Sequence, residues 1–151
     1  MLLWDGACHV HDRFSVDKIM TLKAEHPHAK VLAHPECKAE VLDIADKVGS
    51  TSALLKYCIT NEAQEFIVVT ESGILHEMQK GAPHKTFIPA PPDSDACACN
   101  ECEHMKLITM EKLYNCLKYE YPEIEVDEAI AAQAVKSIER MLAISKQVLN
   151  K

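Results

Sequence analysis

The sequence predicts an α/β fold: a three-layer αβα domain built on a four-stranded parallel sheet, followed by a C-terminal helical pair. Three observations carry that prediction. Short apolar runs at Met1–Trp4, Lys30–Ala33, Phe66–Val69 and Thr86–Ile88 alternate with stretches whose apolar residues keep helical spacing. Strands alternating with helices imply βαβ units, and those units impose parallel pairing. The last two helical patterns then follow one another with no strand between them beyond Ile124–Val126. A chain of 151 residues, 48% hydrophobic and 26% charged, has enough apolar material for one packed domain with a helical appendage, and disorder is not indicated. The division falls at 1–96 for the αβα domain and 97–151 for a cysteine-bearing loop with the C-terminal helices.

Each element has its own signal. Met1–Trp4 reads as a buried strand already under way, which suggests a piece of a longer chain, and Asp5-Gly6-Ala7 breaks it. Ser15 is placed to cap a helix that shows Val16, Ile19 and Met20 on one face and runs to about His26, where Pro27 stops it. Lys30–Ala33 runs into His34-Pro35-Glu36-Cys37. A second helix is predicted with Val41, Leu42, Ile44, Ala45 and Val48 inward and Gly49 just past its end. Ser50-Thr51-Ser52 opens a third, through Leu54, Leu55 and Cys58. The β-branched run Phe66–Val69 ends at Thr70-Glu71-Ser72-Gly73, a helix spans Ile74 to about Lys80, and Thr86–Ile88 is the fourth strand. After Pro89, Pro91 and Pro92 come the cysteines, then a helix from about His104 to Glu120, and a last one capped by Asp127.

A net charge of -7, with no stripe of Lys or Arg, argues against nucleic acid as the main partner. No run reaches the ~18 apolar residues of a membrane span and no signal segment opens the chain, so a cytoplasmic setting is expected. In that compartment seven cysteines point to metal, catalysis or inert core sooner than to disulfides. Cys58 and Cys116 fall on apolar helical faces and read as core, and Cys37 reads as structural.

In parallel sheets ligands bind beyond the carboxyl ends of the strands. There the sequence places Cys8-His9-Val10-His11, His34-Pro35-Glu36, Thr70-Glu71, and the loop to Cys97, Cys99 and Cys102, all on one edge. His34 and Glu36, two apart in extended chain around Pro35, suit proton relay or anion binding, or form a plain surface ion pair. Gly49-Ser50-Thr51-Ser52 at a helix start offers N–H groups and hydroxyls to a phosphate or carboxylate, or is an ordinary cap. Cys99-x-x-Cys102 is half of a zinc or redox spacing, without a second half. Cys8, after a strand and on the same edge as Cys102, suggests a metal centre shared between distant thiols.

Trp4-Asp5-Gly6-Ala7-Cys8-His9-Val10-His11, His34-Pro35-Glu36-Cys37, Gly49-Ser50-Thr51-Ser52, Thr70-Glu71-Ser72-Gly73 and Cys99-x-x-Cys102-x-x-Met105-Lys106, in this order, resemble quinolinate synthase over essentially the whole chain. The resemblance implies an enzyme, a transferase performing a dehydrating condensation of iminoaspartate with dihydroxyacetone phosphate to quinolinate in NAD biosynthesis. It implies three similar αβα domains around a [4Fe-4S] cluster held by three cysteines, one per domain, whose open iron acts as a Lewis acid. Cys8 and Cys102 look like two of those ligands, with Cys99 as second choice for the latter. His34 and Glu36 look like catalytic and substrate-contacting residues, and Thr51 with Ser50 like substrate contacts. Residues 1–96 would be the last of the three domains. The first two, with the third cysteine, would precede Met1, leaving this chain inactive alone and the apolar face of its final helices without their docking partner. An L-aspartate oxidase or dehydrogenase would supply the iminoaspartate. The alternative from another class is a stand-alone zinc-binding or regulatory module using Cys97, Cys99, Cys102 and His104.

Overall fold

A computed structural model of the chain describes residues 5–93 and 100–149. The expected strand Met1–Trp4, and Cys97 and Cys99, lie outside the described residues. The chain divides into two compact units, Met1–Leu107 and Ile108–Lys151.

The first unit is an αβα sandwich. A 3-10 turn, His11–Arg13, leads into α1 (Val16–Glu25), β1 (Lys30–Ala33), α2 (Ala39–Asp43), β2 (Lys47–Val48), α3 (Thr51–Thr60), β3 (Glu65–Val69), α4 (Ile74–Gly81) and β4 (Thr86–Pro89). All strand pairs are parallel, in the order β2-β1-β3-β4. Successive side chains leave opposite faces of a strand. Val31, Ala33, Ile67 and Val69 therefore pack under Ile19 of α1 and Val41 of α2. Leu32, Phe66 and Val68 pack on the other face, against Leu54 and Cys58 of α3 and Met78 of α4. Burial on both faces explains why β1 and β3 read as continuous apolar runs instead of alternating ones.

The fold class stands as the sequence predicts, but one strand is different. The segment predicted to complete helix two, through Val48, instead forms β2 at the sheet edge, and α2 ends at Asp43. The cause is Asp46. Its carboxylate accepts from the Val31 N–H (2.8 Å) and the Lys30 ammonium (2.8 Å), while its own N–H donates to the Val31 carbonyl (2.9 Å). Those bonds draw residues 46–48 onto the edge of β1, and the Gly49 N–H continues the ladder to the Ala33 carbonyl (3.1 Å).

The second unit holds α5 (Met110–Tyr119) and α6 (Glu128–Leu149). The helix predicted from His104 breaks into a 3-10 turn, Met105–Leu107, and α5, because Thr109 is extended and caps α5 by accepting from the Lys112 N–H. Asp127 caps α6 as predicted, accepting from the N–H groups of Ala129 and Ile130. Ile124–Val126 forms no strand. Cys116, expected in a core, is exposed. No described helix is long and apolar enough to cross a membrane.

Asp46 supplies the first prediction. Burial alone would raise its carboxyl, but the Lys30 ammonium and the Val31 N–H outweigh burial and hold it below the ordinary 3.8. Its contribution is therefore complete above pH 3.8 and disappears as the pH falls through that value toward the lower folded one. Asp46→Asn should cost about 1–2 kcal/mol at neutral pH and flatten the acid limb of a stability–pH curve measured by denaturant unfolding.

Candidate functional site

The carboxyl edge of the sheet begins one residue beyond each strand. His34 follows β1, and its N–H donates to the Val69 carbonyl (3.2 Å), extending the β1–β3 ladder by one bond. Pro35 then takes the second position of a turn closed by the Cys37 N–H on the His34 carbonyl (3.0 Å). The predicted extended geometry of residues 34–36 is thus replaced by a turn, whose bend aims Glu36 back at its neighbours. The Glu36 N–H donates to His34 Nδ1 (3.3 Å), which in a neutral ring leaves the proton on Nε2. Glu36 Oε2 lies 3.5 Å from His34 Nδ1 and 3.0 Å from His11 Nδ1. Cys37 sits beneath, its thiol donating to the Val69 carbonyl and pushed up to about 11 by burial, which keeps it protonated and structural.

His11 comes from the far end of the sequence. The 3-10 turn that carries it is closed by the Arg13 N–H on the Val10 carbonyl (3.4 Å), and the Asp12 N–H reaches back to the Cys8 carbonyl (2.9 Å). Its ring is buried, stacks on His34 (centroids 4.5 Å, planes 17° apart) and bonds through Nε2 to the Thr70 hydroxyl (2.9 Å). Nδ1 meets the Glu36 carboxylate at ion-pair distance without hydrogen-bond alignment. Burial depresses the His11 pKa, the His34 charge adds to the depression, and Glu36 opposes both. The neutral ring is therefore favoured. Thr70 is the first residue past β3, and next to it Glu71 Oε2 accepts from the Gly73 N–H (2.7 Å). A Cβ at position 73 would stand 2.6 Å from that oxygen, so a larger residue there would displace the Glu71 carboxylate from this bond.

The cysteine segment is tied to the same edge by Asn100. Its carbonyl accepts from the Ser72 N–H (3.0 Å), and its buried side-chain amide donates to the Ala90 carbonyl. Cys102 follows two residues later. On the other side Phe14 bridges Pro92, and the Asp93 N–H donates to the Arg13 carbonyl (2.7 Å), holding the segment after Cys8 against the loop after β4. A cavity of about 500 Å³ results. Among its lining residues are Cys8, His34, Glu36, Thr51 and Cys102, five positions singled out in the sequence. Ser50 is not among them: its hydroxyl accepts from the Ala53 N–H and faces Ser52, as an N-cap. His11, Thr70 and Met105 also line the cavity. The sequence set His11 and Thr70 on this edge by their positions after strands, and Met105 within a motif of the resemblance, but gave none of the three a role.

Among the described residues, two groups of side chains bring ligand atoms within 4.8 Å of one another: Cys8, His11 and Glu36; and His9, Glu103 and His104. They share no residue. Cys8 and Cys102 are free and partly buried, and their thiolates would suit a soft metal centre.

A family model described as quinolinate synthetase A protein matches residues 1–143. The quinolinate synthase of Chloroherpeton thalassium is 56% identical over 146 residues, covering 97% of this chain and 45% of the relative. Those of a Synechococcus species (54% over 145 residues) and Thermosynechococcus vestitus (53% over 145 residues) cover 96% of this chain and 45% and 46% of their own lengths. The chain therefore spans less than half the length of these relatives.

The His11 environment generates a prediction with a defined sign. A folded pKa below the ordinary 6.5 means that the unfolded chain binds the proton first, so stability is full above pH 6.5 and declines as the pH drops through it. By NMR, His11 should titrate below 6.5, and lower still in Glu36→Gln. Thr70→Val should cost about 1–3 kcal/mol by stranding a buried ring nitrogen.

Proposed function

The chain belongs to the quinolinate synthase family, and on that premise we propose that its carboxyl-edge cavity forms part of the site where iminoaspartate and dihydroxyacetone phosphate condense to quinolinate in NAD biosynthesis. The observation that carries the proposal is the meeting of Cys8, His34, Glu36, Thr51 and Cys102, from three loops and the start of α3, on one cavity.

The thiols fit the cofactor that the resemblance implies. Cys8 and Cys102 are soft donors, uncommitted to disulfides, on the wall of that cavity. They would hold a [4Fe-4S] cluster together with a third thiolate from the part of the protein this chain does not match. When bound, the cluster supplies a Lewis-acidic iron for the loss of water.

The chain's own residues perform the remaining work. His11, favoured neutral by burial, is held between the Thr70 hydroxyl at Nε2 and the Glu36 carboxylate at Nδ1, and so fixes where that carboxylate stands. Glu36, more than half exposed on the cavity wall, is the group placed to take a proton from substrate and return it. His34, stacked on His11, presents its Nε2 side as a hydrogen-bond donor. Thr51 opens α3, where backbone N–H groups and the helix dipole favour a carboxylate or phosphate. Residues 1–151 supply two thiolates and one wall, so by themselves they turn over no substrate. An L-aspartate oxidase or dehydrogenase would deliver the iminoaspartate.

The test combines residues 1–151 anaerobically with iron, sulfide and the unmatched part of the Chloroherpeton relative. The mixture should turn brown with broad visible absorbance and form quinolinate. Cys8→Ser or Cys102→Ser should abolish the colour. Glu36→Gln should keep the colour and slow quinolinate formation by about 100-fold or more. A colour that survives both cysteine variants would overturn the assignment.

A further inference from the structure

Consecutive residues in these two segments present a second donor set. Cys8 and Cys102 line the cavity, while His9, Glu103 and His104 do not, although they flank those thiols in sequence. Their ligand atoms nevertheless lie within 4.8 Å of one another. The rings of His9 and His104 stand edge to face with centroids 5.2 Å apart. His9 Nε2 is buried and has no hydrogen-bond partner among the described residues. A buried imidazole nitrogen without a partner loses its hydration for nothing in return. An ion held between the rings removes that deficit.

We propose that His9, Glu103 and His104 form a binding site for a single divalent cation of the zinc class. Two imidazoles and one carboxylate are the donor set such an ion accepts with three protein ligands and a water, whereas calcium and magnesium want oxygens. Tetrahedral coordination at zinc bond lengths brings ligand atoms to about 3.3 Å from each other. Closing from 4.8 Å is within reach because Glu103 and His104 are exposed and can change rotamer. The neighbouring ammonium does not compete for the carboxylate, since Lys106 Nζ pairs with Glu101 (3.5 Å). The ion joins residue 9 to residues 103 and 104, and so clips together the two segments that carry Cys8 and Cys102. The site stands apart from the cluster reading and uses none of its ligands.

The experiment titrates Zn²⁺ alone into the full 151-residue chain, followed by native mass spectrometry and calorimetry. A variant with Cys8, Cys97, Cys99 and Cys102 all replaced by serine should still bind one equivalent, and its Co²⁺ form should lack a thiolate charge-transfer band. His9→Gln/His104→Gln in that background should lose the equivalent. His104 is exposed, so His104→Gln alone should leave the fold intact by circular dichroism and weaken binding by more than about a hundredfold, beyond the usual cost of losing an outer-sphere contact. Loss of zinc on removing the thiols, or retention without the two histidines, would overturn the site. No iron, sulfide or substrate enters these measurements, so either result leaves the cluster assignment to its own test.

Discussion

The site depends on the parallel pairing of β1 with β3, two strands buried on both faces. Leu32, Phe66, Ile67 and Val69 are fully buried, and each contributes roughly 1.5–3 kcal/mol by leaving water. The register sets Ala33 against Val69, so the next residue of each strand, His34 and Thr70, emerges side by side at the edge. That adjacency lets one side chain touch both. His11 stacks on the first and hydrogen-bonds the second. An apolar interaction in the middle of the sheet thus fixes a polar geometry at its end, with no flexible loop between them.

The same closeness limits how much charge the edge can carry. Two unit charges on rings 4.5 Å apart repel by about 4 kcal/mol at an effective dielectric constant of 20. Burial opposes protonation of His11, and charge on the stacked His34 ring adds to that opposition. Glu36 offsets part of this, but it is more than half exposed and water screens it. The balance leaves a neutral, oriented imidazole beside a carboxylate, which can hold a proton for a short time without keeping it. A fully buried Glu36 would hold it too well.

What could be read from the sequence follows from how local each signal is. β1, β3 and β4 were legible because burial on both faces writes an apolar run, and α1, α3 and α6 because Ser15, Ser50 and Asp127 cap them. β2 was not legible. It is two residues long and owes its place to Asp46 gripping β1, a contact across 15 residues that looks like an ordinary surface acid in the sequence. The partnership of His11 with Thr70 spans 59 residues and depends on register, which no spacing rule encodes. Cys116 shows the opposite failure: helical periodicity says which face is apolar, and says nothing about whether another surface covers it. The carboxyl-edge rule needs only strand positions, and β1, β3 and β4 stand where the sequence put them, which is why His34, Glu36 and Cys102 could be singled out together.

Burial falls off along the cysteine segment in a way that matches its chemistry, from Asn100 to the exposed Glu103 and His104. Asn100 is buried, and a buried amide left without partners would cost about 1–3 kcal/mol. Its links to Ser72 and Ala90 meet that requirement and fasten the backbone there to the sheet edge. Cys102, two residues on, inherits most of that constraint and gains the Lys106 N–H on its carbonyl (3.0 Å). Glu103 and His104 are exposed and retain rotamer freedom. A thiol meant for a fixed metal centre benefits from the first condition, since its position is settled before any ligand arrives. A pair of surface ligands that must contract around a small ion needs the second. One short stretch can satisfy both requirements because Asn100 ties its backbone to the sheet while the side chains of Glu103 and His104 face outward.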